Sequence, residues 1–201
     1  MIIGITGQKG GISKTTTAVN LAGAMNLVAP TLLIDADPNR SSTSWSRSGN
    51  LPFKVVSELG APKHLKKHKH VIFDTKARPE AEDLDDLCQE CDLVILPTVP
   101  SGLALDGLVK TVGAIASLEE VKADLKILLT QVRGERAALE AREFLREELA
   151  LEIEIFSTQI PRLVAFEKAF NQGVLVGDVS DPRADAAWGS YLALAEEVLN
   201  G

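Results

Sequence analysis

Glycine, lysine and hydroxyl side chains are concentrated in one short segment near the start of the chain. The segment is Gly7-Gln-Lys-Gly-Gly-Ile-Ser-Lys-Thr-Thr16, and it follows an apolar run, Ile2 to Thr6. Glycines let backbone N–H groups turn towards phosphate oxygens, and a helix that follows is positive at its N-terminal end. The ordinary phosphate-loop pattern fails because Gln8 and Ser13 occupy its glycine positions, but the variant K-G-G-x-x-K-[ST] matches at every fixed position.

The residue types in this segment predict specific contacts with a nucleotide. Lys14 is expected to reach the β- and γ-phosphates. The hydroxyl of Thr15 is expected to ligate Mg²⁺, and Thr16 to contact the α-phosphate or cap the following helix. The rest of the predicted cradle consists of Gly10, Gly11, Ile12 and Ser13.

Carboxylates follow two further apolar runs. One run ends as Leu32-Leu-Ile-Asp-Ala-Asp-Pro-Asn39, so Asp35 and Asp37 lie at its end. The other, His70-Val-Ile-Phe-Asp74, also ends in aspartate, a form that holds Mg²⁺ through water in nucleotide-hydrolysing enzymes. We predict a Mg²⁺ site formed by Thr15, Asp35, Asp37 and Asp74.

These residues follow elements that alternate between two periodicities. Near-continuous apolar runs predict strands buried on both faces, as in a parallel sheet. The predicted strands are Ile2 to Thr6, Leu32 to Asp35, Val71 to Asp74, Leu93 to Leu96 and Lys126 to Thr130. Helical periodicity covers Thr15 to Leu27, Ala81 to Gln89, Ala104 to Leu118, Ala137 to Leu149 and Asp185 to Leu199.

The alternating order predicts a doubly wound α/β domain with a mostly parallel sheet flanked by helices. Ligands bind such sheets at the carboxyl ends of the strands, where the candidate residues lie. Residues Ser48 to His70 are expected to hold one short strand and loops.

Composition limits the classes of function. The 201 residues are 45% hydrophobic and 24% charged, which excludes disordered and disulfide-scaffold proteins. The net charge of −7 repels nucleic acid on average, so DNA binding would need a local basic patch. With two cysteines, no signal-peptide pattern and no apolar run of about 18 residues, we expect one soluble, cytoplasmic domain over residues 1–201.

The first loop resembles the deviant Walker A box of the ParA/MinD group of ATPases, in particular small ParA-type (ParF-like) partition ATPases and the McdA relatives that position carboxysomes. The segments at Asp35 to Asn39 and His70 to Asp74 resemble the family's Walker A′ and Walker B boxes, and Thr158 to Arg162 and Glu167 to Gly173 resemble its closing segments. The resemblance covers nearly the whole chain. It departs from the family at Ser13, where glycine is usual, at Asn39, where glutamine is commoner, and at Lys76 to Pro79.

The resemblance implies a deviant P-loop NTPase that uses ATP and Mg²⁺ and forms a homodimer around ATP. Lys9 would be the lysine that contacts the nucleotide of the partner subunit, and Lys9, Lys14 and Asp37 would be catalytic. Asp37 would orient or deprotonate the attacking water, and Asp35 would lie in the outer shell of the metal. A ParB-like or McdB-like adaptor would stimulate hydrolysis, and the cargo would be plasmid or chromosomal DNA or a carboxysome.

In such a family the ATP-bound dimer binds nucleoid DNA without sequence preference. Arg162, Lys168 and Arg183 are the candidates for the DNA patch, and the chain length leaves no room for a helix-turn-helix domain that would bind an operator. Gln131 and Pro161 are predicted to line the adenine base.

Three alternatives remain open. A MinD-like membrane ATPase would need a basic amphipathic C-terminal helix, whereas Trp188 to Gly201 carries Glu196 and Glu197 and no basic residue. A biosynthetic enzyme of the dethiobiotin-synthetase type, or a metal-cluster reductase, would need a substrate pocket or cluster cysteines. A small-molecule kinase would share the loop without needing Lys9.

Other clusters are assigned to structure rather than chemistry. Cys88 and Cys91 are expected to be packing cysteines. Lys63 to His70, with all three histidines, is expected to be a solvated basic segment, with contact to DNA or a partner as the alternative. The acidic run Glu80 to Asp92 is expected to form a solvated helix face that could receive a basic peptide. Four arginines are expected to form an ion-paired surface: Arg133, Arg136, Arg142 and Arg146.

Overall fold

One sheet organises the chain. The computed structural model describes residues 1–149 and 153–201. Its strands are β1 (Ile2–Ile5), β2 (Thr31–Ala36), β3 (Lys54–Ser57), β4 (His70–Thr75), β5 (Leu93–Thr98), β6 (Asp124–Val132) and β7 (Glu154–Pro161). They pair in the order β3-β2-β4-β1-β5-β6-β7, and every pair is parallel. The structure is therefore a single α/β domain with an all-parallel sheet.

Helices cover both faces of the sheet. They are α1 (Lys14–Asn26), α2 (Ser41–Trp45), α3 (Ala81–Glu90), α4 (Gly102–Ala116), α5 (Glu135–Glu148), α6 (Ala165–Gln172) and α7 (Ala184–Asn200). One core joins α1, α6 and α7 to residues such as Ile95, and the other joins α3, α4 and α5 to residues such as Leu96. Successive strand residues point to opposite faces, so each apolar run supplies both cores.

The predicted elements are confirmed, and their ends differ from the expected positions by no more than two residues. The segment from Ser48 to His70 contains the expected short strand, β3, together with short 3-10 helices. The sequence did not identify β7, α2 or α6 as elements, although the family-like closing segments fall on β7 and α6.

Two structural assignments made from the sequence have different outcomes. Cys88 and Cys91 are free, buried residues of the core beside α3 and α4, as expected. The prediction of a solvated Lys63 to His70 segment is wrong for His70, whose side chain is only 4% exposed. His70 begins β4 and pairs with Thr31 of β2, so the strand carries it into the protein.

Strand β1 lies in the middle of the sheet, between β4 and β5. The chain moves to one side of β1 for β2 and to the other side for β5. In open parallel sheets a ligand crevice forms at such a reversal, at the carboxyl ends of the strands. The loop between β1 and α1 lies at this position.

Helix α1 is buried around most of its circumference. The side chain of Asn20 donates from Nδ2 to Thr16 O at 2.9 Å and accepts from Val176 N at 3.0 Å, which joins the start of the helix to the C-terminal part of the chain. Within the described residues, no helix is both long enough and apolar enough to span a membrane.

Candidate functional site

The loop between β1 and α1 leaves space for a ligand. A Cβ atom added at Gly10 or Gly11 would meet no other atom within 4 Å, so packing does not require glycine at either position. Gly11 has a φ of 78°, which favours glycine, and Ser13 precedes α1 with a φ of 67°. Backbone N–H groups of such a loop can point into open space, as a phosphate cradle requires.

Lys14 is a buried cation at the base of this loop. Its side chain is 7% exposed, and Nζ donates to Lys9 O at 3.1 Å. Burial lowers the pKa of Lys14, and the negative charges of Asp74 and Asp37 act in the opposite direction. Within the described residues Lys14 forms no ion pair. A phosphate group would supply the missing anion.

Asp35 and Asp74 occupy paired positions on neighbouring strands β2 and β4. Asp74 is fully buried and accepts from Ser42 Oγ at 2.6 Å through Oδ2. Its Oδ1 has no hydrogen-bond partner among the described residues. Burial raises the pKa of Asp74 to about 6, although the hydrogen bond from Ser42 lowers it. The open oxygen is an acceptor for a metal-bound water.

The other two aspartates differ in how fully their oxygens are used. Asp35 Oδ2 accepts from the backbone N and the hydroxyl of Thr43 at 2.8 and 2.5 Å, and Oδ1 accepts from Asp37 N at 3.3 Å. Asp37 is 7% exposed, and Oδ1 accepts from Asn39 N at 2.8 Å. Asp35 therefore fixes the start of α2, whereas Asp37 keeps Oδ2 available.

The hydroxyl of Thr15 and the carboxylates of Asp35, Asp37 and Asp74 are hard oxygen donors, which Mg²⁺ prefers. The unpartnered Oδ1 of buried Asp74 is the structural observation that suits such an ion, since a buried acceptor without a donor is costly. The described residues contain no group of three or more Asp, Glu, His or Cys side chains that could hold a metal ion directly, so the fit to Mg²⁺ rests on Thr15 and on water between the ion and Asp74.

A cleft of about 570 Å³ opens beside the loop. Ser13, Thr15 and Thr16 line it together with Gln131 and Pro161, so the structure brings the predicted base-lining residues to the loop. The remaining wall includes aromatic side chains that the sequence analysis did not assign to the site: Trp45, Phe166 and Phe170. Phe166 and Phe170 lie one helical turn apart, and this spacing is the feature of the sequence that could have indicated a shared aromatic surface.

Lys9 does not line the cleft. Its side chain follows α4, where Cγ and Cε lie 3.3 Å from the position that a Cβ on Gly107 would occupy. Neither lysine of the loop is among the residues that line the cleft: Lys14 is buried and donates to the loop backbone, and Lys9 lies against a neighbouring helix.

A second cleft, of about 710 Å³, shares Pro161 and Arg162 with the first. Arg162 and Arg183 line it together with Arg133, which was expected to belong to an ion-paired surface. The acidic residues Glu135 and Glu167 line it as well. Lys168 lies outside this lining and pairs with Asp181 at 2.8 Å. The structure thus brings two of the three DNA candidates together, adds Arg133 and separates Lys168.

Comparison with known proteins bears on this site. A family profile described as the CobQ/CobB/MinD/ParA nucleotide binding domain matches residues 3–176. The chain belongs to this family. The match confirms the resemblance to the ParA/MinD group that the loop predicted. It also shows that the chain carries a nucleotide-binding domain.

Two relatives of this CobQ/CobB/MinD/ParA-type chain cover almost its whole length. Maintenance of carboxysome distribution protein A from Gloeobacter kilaueensis is 32% identical over 206 residues, 98% of this chain and 93% of that protein. The chromosome-partitioning ATPase Soj from Thermus thermophilus is 26% identical, over 98% of this chain and 94% of that protein. The ATP complex of Cyanothece McdA has the same fold, with a TM-score of 0.74 at 18% identity, covering 96% of this chain and 95% of that one.

Proposed function

We propose that residues 1–201 form one ParA-type ATPase domain that hydrolyses Mg-ATP, forms a homodimer around ATP and binds nucleoid DNA without sequence preference. The observation that carries the proposal is the buried ammonium of Lys14, which forms no ion pair with any residue that the structure describes and lies beside an open glycine loop. A buried cation is costly unless an anion compensates it, and a phosphate chain suits both the charge and the space.

In the proposed reaction, water attacks the γ-phosphorus of ATP, the bond to the β-phosphate oxygen breaks, and ADP and phosphate leave. Lys14 would bind β- and γ-phosphate oxygens, and Asp37 would orient the water or accept its proton. Thr15 would hold Mg²⁺ directly and Asp74 and Asp35 would hold it through water. When bound, the ion would neutralise charge that develops on the phosphate oxygens.

The position of Lys9 supports dimerisation around ATP. Its side chain packs along α4, and in the part of the chain that the structure describes it forms no ion pair, so its ammonium would be free to reach a nucleotide held by a partner. Lys9 would then contribute to catalysis only in the dimer. In this arrangement the dimer would form only when nucleotide is bound.

The cleft lined by Arg133, Arg162 and Arg183 supports DNA binding despite the net charge of −7. Non-specific DNA binding needs several arginine or lysine contacts with phosphates and no base contact. A dimer would present two such clefts, so a weak cleft in each subunit would become one usable surface. This binding would place the ATP-bound form on the nucleoid, in the cytoplasm.

The names of the relatives support a positioning role. One is a carboxysome distribution protein and the other a chromosome-partitioning ATPase. We infer that the cargo is a carboxysome or a plasmid or chromosome region, and that a McdB-like or ParB-like adaptor stimulates hydrolysis and release.

A MinD-like membrane anchor is less well supported. Helix α7 ends in Glu196, Glu197 and Asn200 without a basic residue, and it buries Tyr191 and Leu194 in the core. An interfacial anchor would instead present a free apolar face beside basic residues.

The proposal predicts nucleotide-dependent DNA binding. Co-sedimentation with DNA should occur with Mg-ATP and not with Mg-ADP. Lys9→Ala should abolish it because the dimer does not form. Asp37→Ala should keep DNA binding with ATP while phosphate release falls by at least about a hundredfold, since a positioned base contributes on that scale.

Lys122→Ala serves as the matched control for Lys9→Ala, because Lys122 is an exposed lysine in the loop before β6, outside both clefts and outside the basic segment Lys63 to His70. It should bind DNA as the unmodified protein does. Equal DNA binding with ATP, with ADP and without nucleotide would contradict the proposed switch.

A further inference from the structure

Gln131 contacts the phosphate loop as well as the cleft. Its Nε2 donates to Gly11 O at 2.6 Å and to Ser13 Oγ at 3.1 Å. The hydroxyl of the preceding residue, Thr130, shares its one proton between two acceptors, Ile12 O and Thr98 O, each 3.1 Å from Oγ1. The end of β6 therefore holds three successive loop residues.

The backbone at both ends of the Gln131–Ser13 hydrogen bond is in a conformation that L-residues seldom adopt. Ser13 has a φ of 67° and Gln131 a φ of 50°. Non-glycine residues keep such angles only where surrounding contacts fix them. Ser13 forms no side-chain capping bond to α1, so its hydroxyl is free to accept from Gln131.

We propose that Gln131 is a positioning residue for phosphate binding, which acts through Gly11 and Ser13, while its side chain also lines the base cleft. The inference rests on the proposed nucleotide site and assigns Gln131 a role beyond contact with the base. Ser13 supplies the second acceptor, which a glycine at this position would lack. Ser13, which replaces the glycine usual in the family, thus takes part in the hydrogen bond that orders the loop.

A ligand without a base can distinguish loop positioning by Gln131 from direct contact between Gln131 and the base. Calorimetry would measure the dissociation constants of Mg-ATP and of Mg-tripolyphosphate for the unmodified protein and for Gln131→Ala. Loss of loop positioning should weaken both ligands by a similar factor, about five- to tenfold, the scale of one or two hydrogen bonds. Pro161→Ala, a change on the base side of the cleft, should weaken Mg-ATP alone.

Gln89→Ala is the matched control, because Gln89 Nε2 also donates to a backbone carbonyl, Glu120 O at 2.9 Å, away from the cleft. It should change neither dissociation constant. If Gln131→Ala fails to fold, as judged by circular dichroism and melting, Gln131→Met retains most of the side-chain volume without the donor.

A double-mutant cycle tests the connection through Ser13. Ser13→Gly should weaken tripolyphosphate binding in the unmodified protein. In the Gln131→Ala background the same change should weaken binding less, or improve it, because the donor to Ser13 Oγ is already gone. Glycine relieves the left-handed backbone in both backgrounds, so the difference isolates the hydrogen bond.

The outcomes are distinct. If Gln131→Ala weakens Mg-ATP but not Mg-tripolyphosphate, Gln131 is a base contact and the inference is overturned while the nucleotide site stands. Unchanged binding of both ligands overturns it as well. If the unmodified protein binds neither ligand, the proposed nucleotide site fails and this inference fails with it.

Discussion

At the scale of the single residue, Asp74 shows how a site can be costly to the fold that carries it. The side chain is fully buried, one carboxylate oxygen has no partner, and burial raises its pKa to about 6. Without a ligand, the ionised form is therefore disfavoured in the folded protein relative to the unfolded chain. A residue selected only for stability would be neutral at this position.

Asp74→Asn should stabilise the ligand-free protein at neutral pH. The pKa is raised on folding, so the folded state favours the protonated acid, and Asp74 stabilises the fold most at low pH. This contribution is lost as pH rises from about 4 through about 6. At pH 7.5 the neutral amide should raise Tm by a few degrees, on the order of 1–2 kcal/mol, and at pH 4 by much less.

Scanning calorimetry between pH 4 and pH 8 would measure this difference. Asp124→Asn, which changes an exposed carboxylate at the start of β6, should show no such pH-dependent gain. The same Asp74→Asn protein should lose Mg²⁺-dependent ATP hydrolysis. A lower Tm at pH 7.5 for Asp74→Asn would contradict the role assigned to the buried charge.

Site residues could be predicted from the sequence where chemistry fixes their local spacing. Lys14, Asp37 and Asp74 each follow an apolar strand within a short pattern. The hydrogen bond between Gln131 and Ser13 joins positions 118 residues apart and depends on two side-chain rotamers, so no local pattern contains it. Arg133 was assigned to an ion-paired surface because neighbouring glutamates suggested pairing, whereas the cleft is formed by β6, β7 and α7 together.

At the scale of the element, burial explains which helices and strands the sequence revealed. The strands nearest the middle of the sheet are covered on both faces and consist of apolar runs, so they were predicted. Strand β7 buries only Phe156 and Ile160 and contains Ser157, Thr158 and Gln159, so it shows neither a continuous apolar run nor a strict alternation. Helix α2 is Ser-Ser-Thr-Ser-Trp and is too short to show a helical period.

Two glycines in helices should respond to alanine in opposite ways. A Cβ added to Gly23 of α1 would lie 2.6 Å from Leu175 Cδ2, whereas one added to Gly113 of α4 would meet nothing within 4 Å. Gly23→Ala should therefore destabilise the protein by about 1–3 kcal/mol through overpacking. Gly113→Ala should stabilise it by about 0.5–1 kcal/mol through helix propensity.

Urea unfolding of the two variants would measure both free energies. Leu175→Ala combined with Gly23→Ala should cost less than the sum of the separate changes, because the clash and the cavity compensate. If Gly23→Ala is as stable as Gly113→Ala, the packing of α1 against Leu175 is looser than the distances indicate.

At the scale of the whole molecule, charge and cleft position separate two kinds of surface. The chain carries 28 acidic and 21 basic side chains. Acidic residues dominate α3, where Lys76 pairs with Asp83 at 2.7 Å, and three arginines meet at the cleft beside the nucleotide site. In this cleft the three arginines outnumber the two glutamates of the lining, Glu135 and Glu167, so its local charge has the opposite sign to the net charge of the chain.

Arg162→Ala should weaken DNA binding by the ATP-bound protein at every sequence tested. The slope of log affinity against log salt concentration should become shallower by about one, as expected for one lost phosphate contact per subunit, or about two per dimer. Fluorescence anisotropy with labelled duplexes from about 50 to 200 mM salt would measure the slope.

Arg136→Ala is the control for this change, because Arg136 is exposed and pairs with Glu140 at 2.8 Å. It should leave the slope unchanged. An unchanged slope for Arg162→Ala, Arg133→Ala and Arg183→Ala alike would remove the cleft as the DNA surface. ATP binding should be measured for Arg162→Ala as well, since Arg162 also lines the nucleotide cleft.

The contact between Asn20 and Val176 has a consequence for how the protein is made. Asn20 holds the first turn of α1 through Thr16 and accepts from a backbone group that follows 156 residues later. On the ribosome, the N-terminal strand and helix emerge long before that partner exists. Asn20 therefore gains this backbone partner only near the end of synthesis, after the loop and most of the sheet have left the ribosome.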